Sequence, residues 1–351
     1  MKIRLLSCSN AHTGIGRYSQ ELHSYYLQEK LNSTYYCREK VPLLHSKKYF
    51  FPLPKNFRTQ FGPFFLNKAL TSDDSVTVHH ADYVDSGSIL NRKEIKSKII
   101  ITIHDAIPFI YPKNNSFKEL YHHYLTICDQ NADALIVVSE QSKLDVMKFT
   151  SIQDSKIHVI YNGINHSMFY PSIKTIPNLV FTMRYHGGLS MGHKNTQLLL
   201  HTAKLLEDRN ISFRMELSGS NPNSSGLPKL AHELKLKNVF FTGFIPNQNL
   251  QSFLSGSDLF LYPSLYEGFG FPPLEAMACG VPVLSSNGGS LNEILSGSAL
   301  LRNPDVEEFA STIEDLMNNS TLLNELKTKS IQKAAEFTWE KCAKKTIDLY
   351  Q

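Results

Sequence analysis

Residues 258–286 read DLFLYPSLYEGFGFPPLEAMACGVPVLSS. A strand-like run ends at Ser264, a turn carrying Gly268 and Gly270 follows, Pro272 and Pro273 open a helix, and Val281-Ser286 is strand-like again. Proline suits a first helical turn because the N–H it lacks is one the helix would leave unpaired. Strand, helix and second strand in so short a span make a βαβ unit, and such units build parallel sheets.

The same alternation extends in both directions. Downstream and upstream of this unit, strand-like runs fall at Asn178-Arg184, Phe213-Gly219, Asn238-Ile245 and Ala299-Arg302, with helical patterns at Thr196-Asp208 and Asn319-Ala335. An earlier series falls at Lys2-Ser7, Val76-His80, Ile99-Asp105, Ala134-Ser139 and Lys156-Gly163, with helical patterns at Arg17-Lys30 and Phe117-Asn131. The expectation is an α/β protein with two Rossmann-like domains, each built on a parallel sheet. A chain of 351 residues also exceeds the roughly 250–300 at which one core stops growing. The domains are placed at 1–170 and 171–339, joined by Asn165-Pro177, which has two prolines and no apolar period. In Phe337-Gln351, Trp339, Ala343, Ile347 and Tyr350 share one helical face, as a helix of residues 340–351 returning to the first domain requires. His45-Lys68, dense in Phe, Pro and Lys, has neither period and is expected to be an elaborated loop of the first domain, whose basic and aromatic stretch Tyr49-Lys68 either packs irregularly or docks on a membrane surface or an acceptor.

Composition excludes several classes. With 42% hydrophobic and 19% charged residues the chain is an ordinary folded one, not a disordered or fibrous one. Its apolar runs are strand-length, far short of the roughly 20 residues a membrane-spanning helix needs. The opening MKIRLLSCSN turns polar too soon for a signal peptide and is read as a first strand, which argues for the cytoplasm. Five scattered cysteines without a CxxC pair suggest neither a disulfide framework nor a zinc knuckle. A net charge of +4 suits phosphate-bearing ligands or an anionic membrane surface and is no nucleic-acid signature.

Chemistry concentrates in a few places. Glu267 and Glu275 flank the glycine turn, whose backbone N–H groups can approach a ligand closely. Carboxylates accept from sugar hydroxyls and amides donate to them, so this turn suits a hexose and a ribose. Helix-dipole benefit alone, about 0.3–1 kcal/mol, requires neither the glycines nor Glu267. Lys194 precedes a helix start, where its ammonium and the helix N–H groups are expected to converge on a diphosphate. Gly14 and Gly16 follow the first strand and permit approach to a phosphate, or simply make a tight βα turn. The dinucleotide fingerprint fails, since Ser19 replaces its third glycine, and a Walker A loop fails because His193 follows Gly192. His104 and Asp105 end a central strand, where open α/β sheets bind ligands; Asp105 is a ligand contact, an orienter of the imidazole or a helix cap. Ser290 and Glu293 read as a capping box, hence structural. No DxD and no His/Cys cluster is present, so no metal is expected.

The segment from Ser264 to Ser286 resembles the donor-site motif of retaining glycosyltransferase family 4. Further matches lie in order along the chain: GIGRY (14–18), TIHDAIP (102–108), VVSEQSK (137–143), IYNGIN (160–165), GHKN (192–195), FTGFIP (241–246) and FTWEKCAKK (337–345). The resemblance implies the GT-B architecture, two Rossmann-like domains facing a cleft. It assigns the ribose to Glu275, the donor sugar to Glu267 and His104, sugar hydroxyls to the amides of Gly268, Phe269, Gly270 and Phe271, and the diphosphate to Lys194 and Arg184. Gly14, Gly16, Asp105, Phe244 and Ile245 complete the implied donor site. The intervening YHGGLSMG loop is longer and richer in glycine than the family pattern. The activity implied by the resemblance is metal-independent, retaining hexose transfer from a nucleotide sugar, GDP-mannose or a UDP-hexose, to a glycan or lipid-linked acceptor. Surface polysaccharide or glycolipid assembly, in the cytoplasm or peripherally at the inner membrane face, is the implied setting. The rival is a catalytically inactive sugar-nucleotide-binding scaffold of the same fold, against which the intact Glu267, Glu275, Lys194 and His104 argue; a phosphorylase is a further alternative.

Overall fold

The computed structural model describes residues 1–10, 13–54, 57–70, 73–172 and 179–351. The chain divides into two compact units, Met1–Gly163 with Trp339–Gln351, and Ile164–Thr338.

Among the described residues the first unit holds seven parallel strands: β1 (Lys2–Leu6), β2 (Asn32–Cys37), β3 (Ser46–Lys48), β4 (Val78–Ala81), β5 (Lys98–Ile103), β6 (Ala134–Val137) and β7 (Ile157–Val159), in the order β3-β2-β1-β4-β5-β6-β7. The central runs, such as Ile99 to Ile101, are fully buried, as expected where helices cover both faces of a parallel sheet. β2 lies outside the strand-like runs read from sequence, because NSTYYC opens on polar residues and has no Val or Ile. His45-Lys68 is not wholly irregular: it contains β3 and the helix Arg58–Ala69. That helix escapes a periodicity reading because Pro63 interrupts it and apolar Phe57, Phe61 and Phe64 face water.

The C-terminal helix Trp339–Asp348 belongs to this unit. Trp339 lies 6.1 Å from the ring of Tyr18, and the Tyr350 hydroxyl bonds to His80 Nδ1 (2.6 Å) and to the Tyr26 hydroxyl (2.8 Å). His80 Nε2 continues to Thr102 Oγ1, which also meets the Tyr18 hydroxyl. A buried polar chain thus joins the last helix to the middle of the sheet.

Among the described residues the second unit holds six parallel strands: β8 (Phe181–His186), β9 (Phe213–Ser218), β10 (Val239–Gly243), β11 (Leu259–Tyr262), β12 (Val283–Ser286) and β13 (Leu300–Arg302), in the order β10-β9-β8-β11-β12-β13. The start of the expected linker packs inside this unit. Phe169 is buried, His166 Nε2 meets the Phe337 carbonyl, and the Asn165 carboxamide accepts from Ser167 and Met168. Residues 173–177 of that stretch lie outside the described residues. All five cysteines are buried as thiols, none of them in a disulfide. Among the described residues no helix is long and apolar enough to cross a membrane.

Candidate active site

Strand order places the site. In the second sheet the chain winds outward one way from β8 and then the other way from β11, so the loops leaving these two strands diverge at a topological switch point. Lys194 sits on the loop after β8 and Glu267 on the loop after β11. Lys194 Nζ lies 2.6 Å from Glu267 Oε1, and the Tyr262 hydroxyl donates to the same oxygen at 2.8 Å.

Backbone contacts set this pairing. The His193 carbonyl accepts from Leu265 N (2.7 Å) and Ser264 Oγ (3.2 Å), and Asn195 Nδ2 donates to the Pro263 carbonyl at 3.3 Å. Asn195 turns the chain in the left-handed region at φ 50, a conformation asparagine tolerates better than most residues. The two loops are therefore zipped together, and Lys194 meets Glu267 without a long search of rotamers.

A third loop braces Glu267 from behind. Ser290 makes no side-chain cap bond to its helix, contrary to the capping-box reading; its hydroxyl and its amide both donate to the Glu267 carbonyl, at 3.1 and 3.0 Å. Gly289 has φ 60, and a Cβ there would lie 2.5 Å from the Glu267 carbonyl oxygen. Only glycine allows backbone to run this close. The signal in the sequence was the tandem Gly288-Gly289 just after a strand.

The electrostatics follow from burial. Burial alone drives the Glu267 carboxyl upward, but the charge and hydrogen bond of Lys194 outweigh it and hold the group below its ordinary range. Burial raises Tyr262 well above the ordinary phenol, with Glu267 adding to the effect, so it stays a neutral donor. His193 is lowered by burial and then by Lys194. An ammonium paired with a carboxylate at a switch point is chemically suited to hold a diphosphate and a polyhydroxyl group together.

The helix starts differ from expectation. After Thr196, the amides of Leu198 and Leu199 donate to the Asn195 and Thr196 carbonyls, so they do not converge with Lys194 on a ligand. The helix Phe271–Ala278 begins after Gly270 (φ 98) without a side-chain cap. Pro272 and Pro273 carry no N–H and so add no donor to this start. Phe269 is buried, its ring 5.3 Å from Phe271 and 5.6 Å from Phe337; its side chain belongs to the core. Glu275 is buried on that helix. Phe244 is exposed at the end of β10, beside partly exposed Ile245.

Arg184 makes its contacts apart from this pair. Its Nε donates to Glu216 Oε2 at 2.7 Å, its Nη1 donates to the Phe253 carbonyl, and the guanidinium lies 4.7 Å over the Phe253 ring. None of these partners is a member of the Lys194 cluster.

In the first unit, His104 follows β5 and is buried, 4.9 Å edge-on from Tyr18. It hydrogen-bonds the Asp82 carbonyl, while its Nε2 is buried without a hydrogen-bond partner. Nδ1 is therefore the donor and Nε2 a bare acceptor. Burial pushes the imidazole down to about 4, so it is neutral at physiological pH. Asp105 Oδ1 accepts from Ile107 N and its carbonyl from the Tyr121 hydroxyl, a turn-forming role. Gly14 opens the helix Gly14–Gln28 and the Gly16 amide is taken by the Thr13 hydroxyl, as in the tight-turn reading. Tyr262 and the Asp82 carbonyl are contributors that the sequence did not single out, and Ser290 is one it offered only as a helix cap. Among the described residues no group of three or more His, Cys, Asp or Glu is placed to hold a metal ion.

Comparison with known proteins bears on both units. The profile described as Glycosyltransferase Family 4 matches residues 12–168, and that described as Glycosyl transferases group 1 matches residues 190–336. The chain belongs to glycosyltransferase family 4. This family 4 chain is 26% identical over 273 residues to the serotype-specific mannosyltransferase WbdA of Escherichia coli, covering 73% of the chain and 33% of WbdA. It is 31% identical over 219 residues to the O-antigen chain mannosyltransferase RfbU of Salmonella typhimurium, covering 62% of the chain and 60% of RfbU. The aligned part is thus less than two thirds of either relative's length. Sucrose-phosphate synthase of Thermosynechococcus elongatus superposes with a TM-score of 0.87 at 22% identity, covering 99% of this chain and 98% of the other. The fold is GT-B, with two Rossmann-like α/β domains.

Proposed function

We propose that this protein transfers a hexose, mannose by first choice, from a nucleotide diphosphate sugar to a hydroxyl of a glycan or lipid-linked glycan in the assembly of a surface polysaccharide. The observation that carries the reading is the Lys194–Glu267 pair at the switch point of the second sheet. GDP-mannose is the preferred donor because two relatives are named as mannosyltransferases; a UDP-hexose is the alternative. Lys194 exchanges its bond to Glu267 for the donor diphosphate and stabilises the charge that develops there as the sugar leaves. Glu267, released from half its partners, accepts from sugar hydroxyls. His104 offers Nε2 to a substrate hydroxyl, which a neutral imidazole can do and an imidazolium cannot. Transfer proceeds with retention and without a divalent cation, Lys194 supplying the positive charge.

A thermal-shift panel of GDP, UDP, ADP and dTDP sugars tests the donor, since a specific ligand at 100 times its Kd adds about 2.7 kcal/mol. Activity is expected to survive excess EDTA, and the anomeric proton coupling of the product to match that of the donor. Inverted product, or activity lost to EDTA and restored by Mg²⁺, overturns the mechanism; no shift with any nucleotide sugar overturns the function.

A further inference from the structure

We propose that Tyr18, held in place by the C-terminal helix, is a positioning residue that keeps Nε2 of His104 free for substrate. This role presupposes the transfer reading of His104, but the posture of the imidazole can be measured without any activity. Alternation along β5 sets the geometry. Ile99, Ile101 and Ile103 join an apolar core on one face of the sheet, whereas Thr102 and His104, two positions apart, turn to the other. Tyr18 meets both: its hydroxyl lies 3.0 Å from Thr102 Oγ1, and its ring lies 4.9 Å from the imidazole, edge to face at 84°. One buried side chain thus spans the end of the strand.

The imidazole is also held by the Asp82 carbonyl, and the same helix controls that group. Ser19, the next residue of the helix Gly14–Gln28, donates from its hydroxyl to Asp82 Oδ2 at 2.8 Å, and the Ser86 hydroxyl donates to Oδ1 at 2.8 Å. Asp82 is thereby fixed, and its carbonyl accepts from His104 Nδ1. Neighbouring residues of one helix therefore grip the ring and the acceptor that orients it. Tyr83, with its ring 6.2 Å away, adds a second aromatic contact. With Nδ1 committed, the buried Nε2 is left without a hydrogen-bond partner.

The C-terminal helix locks Tyr18 from the far side. The helix Trp339–Asp348 packs against the helix Gly14–Gln28, and the Trp339 ring lies 6.1 Å from that of Tyr18. Beyond Thr102 the bonds continue through His80 and Tyr350 to Tyr26, which belongs to the same helix as Tyr18. The chain therefore closes on itself, with both ends fastened to one helix. All five of its side chains are buried. Apolar side chains would fill that face without the cost of burying polar groups, and phenylalanine would fill the space of either tyrosine in that helix. A chain of paired hydroxyls instead fixes one arrangement, because a member that moves leaves its partner unsatisfied. Tyr18 cannot tilt without breaking its bond to Thr102, and the imidazole packed on it is held with it.

The test is a double-mutant cycle of Tyr18→Phe with His104→Ala, read by steady-state kinetics beside ¹⁵N spectra of protein labelled at histidine. Tyr18→Phe is expected to lower kcat about tenfold with the donor KM little changed, and to lower it no further in the His104→Ala background. Tyr350→Phe, farther along the chain, is expected to show the same pattern with a smaller loss, and it carries the cycle should Tyr18→Phe fail to fold. In the spectra, His104 is expected as the Nδ1-protonated tautomer in wild type and as a mixture of tautomers in Tyr18→Phe. Equal fractional losses of kcat in the two backgrounds mark a merely structural tyrosine and overturn the proposal. An unchanged tautomer in Tyr18→Phe overturns it as well. Full activity of His104→Ala overturns the transfer reading of His104 instead, and the spectra then decide by themselves whether Tyr18 sets the imidazole.

Discussion

Lys194 Nζ and Glu267 Oε1 lie 2.6 Å apart although 73 positions separate them, and Tyr262 donates to the same carboxylate oxygen. The pair bridges the two loops that leave β8 and β11.

Removing the lysine separates its role from that of the arginine. Lys194→Ala is expected to lower kcat/KM by about 10²-fold or more, the usual scale for losing a charge that stabilises a developing anion. Arg184→Ala is expected to leave turnover largely intact and cost about 1–3 kcal/mol, because it strips a partner from partly buried Glu216. Steady-state kinetics beside urea denaturation distinguishes the two; equal catalytic losses would place Arg184 at the donor after all.

Glu267→Gln should cost about 2–3 kcal/mol by leaving Lys194 without its counter-charge. The pH dependence has a definite sign. Glu267 is held below its ordinary range, so its stabilisation is complete above about pH 4.3 and is lost as pH falls through the depressed value. Wild type should therefore lose its advantage over the variant in acid, measured as melting temperature against pH. A gap that stays constant down to complete acid unfolding contradicts this.

The loop behind Glu267 is open to test without touching the carboxylate. Gly289→Ala meets both the left-handed φ and the Glu267 carbonyl, and should destabilise by about 2–4 kcal/mol. Ser290→Ala removes one hydroxyl bond to that carbonyl and should cost about 1 kcal/mol. Both should lower kcat through the displaced Glu267. A Ser290→Ala enzyme with wild-type kcat shows that the brace is unnecessary for turnover.

The first unit should weaken in mild acid. Burial lowers His79 to about 4, His80 to about 3 and His104 to about 4, with Arg4 assisting at His79 and His104 at His80. Such groups contribute fully above about pH 6.5, a contribution that fades as pH falls toward these values. Asp82 opposes them: burial raises it to about 7 against hydrogen bonds from Ser7, Ser19 and Ser86, so its contribution is present at low pH and lost as pH rises through 7. Three outweigh one, and melting temperature should drop between pH 7 and 5. Asp82→Asn should steepen the drop, while a flat profile in both proteins rules the account out.

Tyr350→Phe deletes a hydroxyl that bonds both His80 and Tyr26, and should cost about 2 kcal/mol. Hydrogen exchange should quicken first in the helix Trp339–Asp348. Uniform protection loss across the unit would mean that this chain of bonds does not locally hold the helix.

Much of this protein was legible in its sequence wherever the information is local. The strand and helix periods of the second unit, the Gly and Pro signals between Ser264 and Val281, and the shared face of Trp339, Ala343 and Tyr350 all depend on neighbours a few residues away. Those signals were enough to place an α/β fold and to single out Lys194, Glu267, Glu275 and His104. Tertiary structure alone decided the partners. That Lys194 meets Glu267, that Arg184 meets Glu216, and that Ser290 holds the Glu267 carbonyl rather than capping its helix depended on strand order, which brings together loops scores of residues apart. Local period also failed where packing inverts it. The helix Arg58–Ala69 buries a glycine and presents phenylalanines to water, and β2 holds its place through neighbours in the sheet rather than through aliphatic side chains of its own. A backbone can be drawn from local preferences, but which side chains touch is set by long-range closure of the fold, and chemistry happens only where they touch.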